Sequence, residues 1–160
     1  MIIKIMYTIF IGVLFAIFVG VGIEAFYPSP NEPEYPSALK IPREGGLSEP
    51  VFLEMKREQE KYDREFKTFQ EKSEIYNRNV SIIAVILSVL TLIISLTLFT
   101  RILIIADGLL LGGVLTLLYS IIRGFNSGDN MFRFSVVSTG FLIALFLGYI
   151  KFIKVQKVKK

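Results

Sequence analysis

The sequence predicts an all-α membrane protein: a four-helix transmembrane bundle whose second span is extended into a long extramembrane helical stalk, preceded by a Pro-rich extended linker. Three observations lead there. Apolar residues make up 52% of the chain, above the roughly 45–50% usual in soluble domains even with glycine counted. They fall in four runs, each near the about 20 residues that a bilayer core requires. Between positions 51 and 99 a helical pattern free of Pro and Gly passes from charged to apolar without a break.

The first span covers residues 1–27. A cleavable signal peptide would have an apolar region of only about 7–15 residues and an A-x-A-like site. Here the run is longer and Glu24 interrupts "GIEAFYP", so a retained signal anchor is expected. Thr8, Gly12, Ala16, Gly20 and Glu24 stand four apart and form a small-residue line. Small residues let helices approach closely in lipid, where packing drives association.

Residues 28–49 form the linker. All six prolines of the chain lie between Pro28 and Pro50. Proline fixes φ and biases its predecessor towards extended backbone. At about 3.1 Å per residue such a linker reaches roughly 60–70 Å, whereas the stalk rises only about 40 Å at 1.5 Å per residue. The linker can therefore climb the stalk and lay Tyr35, Leu39, Ile41 and Leu47 on it. Pairing of two stalks is the other way to cover the same face.

The stalk occupies residues 50–78. Phe52, Met55, Gln59, Tyr62, Phe66, Phe69, Ser73 and Tyr76 alternate spacings of three and four, a coiled-coil-like seam that continues to Val80 and Ile83. The other faces carry charges of mixed sign, as a solvated helix does. Ser48 is the expected N-cap, with Glu49 and Pro50 in the first turn.

The second span, residues 79–100, carries a weakly polar line at Ser81, Ala84, Ser88, Thr91 and Ser95. The third, residues 101–123, follows almost at once, which forces an antiparallel hairpin. It carries Gly108, Gly112, Thr116 and Ser120. A polar extracytoplasmic turn at 124–131 leads to the fourth span, residues 132–153, with Gly140, Ala144 and Gly148, and then to a basic tail at 154–160. The expected helix-packing residues are thus Gly12, Ala16, Gly20, Gly108, Gly112, Gly140, Ala144 and Gly148. Lys4, Arg101, Lys151, Lys154, Lys157, Lys159 and Lys160 flank the spans on one side. Short basic flanks set orientation, so both termini are expected on the cytoplasmic side of a plasma (inner) membrane.

Composition removes whole classes of chemistry. The chain has neither Cys nor His, which excludes disulfides and thiol catalysis and removes the commonest general base. The net charge of +4 is concentrated in the tail, so nucleic acid is not an expected partner. No cofactor, metal or catalytic residue is expected, and the protein reads as a non-enzyme. Glu24 and Asp107 lie within apolar runs, and intramembrane acids are functional candidates by default. Arg123 and Arg133 stand at the level of Glu24, and Lys4, Arg101 and Lys151 near Asp107, so structural pairing or interfacial hydration is the expected role. The chain as a whole reads as an assembly, scaffold or accessory subunit in the lipid bilayer. It would associate with itself or with another membrane protein through Phe52, Met55, Tyr62, Phe66, Phe69 and Tyr76. The alternative is an oligomeric channel or small transporter subunit using the two acids.

Overall fold

The computed structural model describes residues 2–37, 49–97 and 102–150. The expectations for Leu39, Ile41, Leu47, Ser48, Arg101 and the basic tail lie outside them. The described residues form four helices and no strand: α1 (Ile2–Phe26), α2 (Glu49–Thr97), α3 (Leu103–Phe125) and α4 (Asn130–Gly148). Each is long and apolar enough to cross a membrane. The chain divides into two compact units, one of Met1–Pro28 with Asn77–Lys160, the other of Ser29–Tyr76.

In the first unit α3 packs against all three other helices, and small residues account for each contact. Along α2, Ser81, Ser88 and Ser95 recur every seven residues. Seven steps of an α-helix return to within about 20° of the starting direction, so the three hydroxyls keep facing α3. Ser88 Oγ donates to the Gly113 carbonyl (2.8 Å) and Ser95 Oγ to that of Ala106 (2.6 Å). Ser81 and Ser120 bond reciprocally, each hydroxyl donating to the other's carbonyl at 2.9 and 2.8 Å. As the α2 number rises by seven the α3 number falls by seven, so the two helices are antiparallel and in step.

Helices α1 and α3 run parallel. A Cβ on Gly108 would lie 2.8 Å from Ile11, one on Gly112 would lie 2.9 Å from Phe15, and one on Gly12 would lie 2.8 Å from Leu111. Glycine is required here by close approach: the Gly12 carbonyl oxygen would be 3.2 Å from a Cβ at Gly112. The α3–α4 contact is antiparallel, with Val136 beside Gly124 and Ile121 beside Gly140. Its turn uses Gly128 at φ 73°. Asp129 then caps α4 by accepting from the Met131 amide (2.8 Å), so the helix begins at Asn130, two residues before hydropathy alone would start it.

The interior of this unit is correspondingly small and hydroxyl-rich. Ser81, Ser88, Ser95, Thr116 and Ser120 are buried, while Phe10, Phe18, Ile86, Phe134, Phe141 and Phe146 face outward. Hydroxyls are satisfied inside and large apolar side chains are turned out, an arrangement suited to a lipid solvent.

The second unit joins the polar part of α2 to the strap before it. Pro30, Pro33 and Pro36 are half-buried, whereas Asn31, Glu32, Glu34 and Tyr35 between them are exposed. Polyproline II has three residues per turn, so this spacing turns one proline face onto the helix.

Candidate functional site

The strap and the aromatic seam make the most differentiated surface of the second unit. The Tyr35 ring meets Tyr62 edge-on with centroids 5.1 Å apart, Tyr62 stacks on Phe66 at 5.7 Å, and Phe66 reaches Phe69 at 6.1 Å. Such pairs add about 0.5–1.5 kcal/mol each beyond area burial, enough to bias an extended segment towards the helix. The strap runs antiparallel to the helix. Pro30 and Pro33 stand with Arg64, Phe69 and Lys72 around a cleft of about 650 Å³, and Tyr35 and Pro36 with Glu58, Lys61 and Glu65 around one of about 380 Å³. The geometry agrees with the two rises: six strap residues cover about 19 Å, the length of roughly 12 helical residues. The first cleft carries Arg64 and Lys72 against Glu65. The second is predominantly acidic, with Glu34, Glu58 and Glu65 against Lys61.

The structure brings Tyr62, Phe66 and Phe69 together under the strap. Met55 is half-buried, Tyr76 is buried and Phe52 is 55% exposed. Of the small residues, Gly12, Gly108, Gly112 and Gly140 sit at helix contacts. Ala16 is half-buried, Ala144 is exposed, and Gly20 and Gly148 have nothing within 4 Å of a Cβ position. The reason is rotational: a step of four residues turns about 40° past a full turn. By Gly20 the line has therefore swung about 80° from Gly12, and by Glu24 about 120°. Glu24 is exposed and Asp107 is half-buried. No group of three or more acids in position to hold a metal occurs among the described residues.

A polar cluster at one end of the first unit was not among the expected features. Arg123 Nε donates to the Tyr119 hydroxyl and its Nη1 to Asn77 Oδ1, both at 3.0 Å, with the guanidinium 5.4 Å from the Tyr119 ring centroid. Asn79 Nδ2 donates to the Tyr27 hydroxyl at 2.9 Å. These bonds tie the end of α1 and the end of α3 to the middle of α2, and they satisfy donors that would otherwise meet the apolar zone bare. The signal available in the sequence was the "NRN" immediately before an apolar run.

Between α1 and α2 the same unit has an apolar groove of about 430 Å³, walled by Phe18, Gly22, Phe26, Ile83 and Leu87 among others, with Tyr27 at one end. A smaller one, of about 200 Å³, lies between Ile82, Ile86 and the α4 residues Phe132 and Val136. No protein-family model, curated protein or solved structure matches the chain.

Proposed function

We propose that this is a non-catalytic integral membrane protein with four spans and both termini cytoplasmic, acting as an accessory or scaffold subunit. Its recognition surface is the strap-and-stalk module outside the bilayer. The observation that carries this reading is the seating of Tyr35 on Tyr62 together with the half-burial of Pro30, Pro33 and Pro36. The strap covers the central seam within one chain, so the seam does not need a second stalk to shield it. What remains outward is a composite surface of extended backbone, exposed Tyr35 and two charged clefts that share Glu65, one with Arg64 and Lys72 and the other with Glu34, Glu58 and Lys61, suited to a protein partner with a complementary charge pattern. The hydroxyls of α2 and α3 support a packing role for the spans, because Ser81, Ser88, Ser95 and Ser120 are buried and bonded across the α2–α3 contact rather than offered to a pore.

The test is tryptic cleavage of the full-length protein in detergent, comparing wild type with Phe66→Glu. A carboxylate between Tyr62 and Phe69 should release the strap and speed cleavage at Lys61, Arg64 and Lys72, while leaving the membrane helices protected. Equal cleavage of both proteins would contradict the reading.

A further inference from the structure

The α1–α2 groove carries a second assignment, which rests on the membrane reading above. We propose that it is a binding site for one acyl chain of a membrane phospholipid, with the headgroup at the Tyr27–Asn79 pair. The two helices meet there in antiparallel register. Asn79 bonds Tyr27, and successive turns of α2 from Asn79 bring Ile83 and then Leu87 into the groove wall. Successive turns of α1 back from Tyr27 bring Ile23 and then Val19 into the same wall. The wall is hydrocarbon throughout, except for Tyr27 at its end. Its width comes from Gly22, where a Cβ would meet nothing within 4 Å.

Size selects the occupant. At roughly 30 Å³ for a water-sized group, about 430 Å³ holds on the order of 14 methylene-sized groups, a single lipid tail. Nine residues line the groove, well short of the about 20–30 per side of a stable protein interface. Charge is compatible with size: Arg78, exposed and one residue before Asn79, puts a cationic residue of α2 at the level of the polar end. A guanidinium at that depth complements a lipid phosphate, and Tyr27 is of the type that settles at headgroup depth.

The experiment is photolabelling of the full-length protein in vesicles of phosphatidylethanolamine and phosphatidylglycerol whose tails carry a mid-chain diazirine, with adducts mapped by mass spectrometry. Adducts should concentrate on the residue 15–27 and 83–87 peptides. Gly22→Leu, whose Cβ meets nothing within 4 Å, puts a branched side chain into the groove and should lower them at least about fivefold, the change that roughly 1 kcal/mol of lost binding produces. Gly20→Leu, also into open space but outside the groove, should leave them unchanged. Adducts spread over all outward faces and insensitive to Gly22→Leu would overturn the lipid site while leaving the membrane reading standing. A groove peptide cross-linked to a second copy would also overturn it. Failure to label any of the four helices would remove both readings.

Discussion

Gly112→Val should separate α1 from α3. The new Cβ would stand 2.9 Å from Phe15 Cδ1, 3.0 Å from Phe15 Cβ and 3.2 Å from the Gly12 carbonyl oxygen. The Phe15 ring can rotate away. Its Cβ and the Gly12 carbonyl move only if the α1 backbone moves, and the two γ-methyls of valine add to the crowding. Overpacking of this kind costs about 1–3 kcal/mol, with valine towards the upper end. The gain in helix propensity from Gly to Val returns only about 0.3–0.5 kcal/mol. The net loss is therefore about 2 kcal/mol, a roughly 30-fold shift in the unfolding equilibrium. The chain has no Trp but seven Tyr, so the assay is SDS titration in mixed micelles followed by near-ultraviolet tyrosine dichroism. Gly20→Val, which meets open space, is the matched control and should shift the midpoint little. Equal midpoints for Gly112→Val and Gly20→Val would refute the close α1–α3 packing.

Three other perturbations test separate contacts. Ser81→Ala with Ser120→Ala removes the reciprocal pair; at about 0.6 kcal/mol per interhelical bond in a membrane, the double variant should lose roughly 1 kcal/mol in the same titration, with less than additive single variants. Tyr35→Ala removes the edge-on contact with Tyr62 and should raise amide exchange across residues 29–37, while exchange in α3 stays unchanged. Glu24→Gln with Asp107→Asn should leave ion flux into liposomes at the level of the unaltered protein; a fall in flux would favour the channel reading.

Much of this architecture is legible in the residues because helical periodicity is a local property. The heptad seam, the serine line and the glycine pairs each place residues on a face from spacing alone. Pairing between faces is not local. Small lines spaced by four occur on three helices, and nothing in a single line says how far along it the contact persists. Gly12 and Gly20 have the same residue type and belong to the same line, yet only Gly12 packs, because a four-residue step precesses about 40°. The seven-residue step of Ser81, Ser88 and Ser95 precesses only about 20° and keeps its partner over three rungs. In the strap, the three-residue spacing of Pro30, Pro33 and Pro36 carried the information about which face is covered. The Arg123 cluster depends on where the ends of α1 and α3 meet the middle of α2; the "NRN" marks the place on α2 but not its partners.

The central claim is that one chain covers its own seam and offers the strap and stalk to another protein. The mass of the purified protein in detergent, by light scattering with the detergent contribution subtracted, tests it most directly. The account predicts a single chain of 18.2 kDa. A defined oligomer of several chains would contradict it and move the reading towards a pore or a self-assembling scaffold.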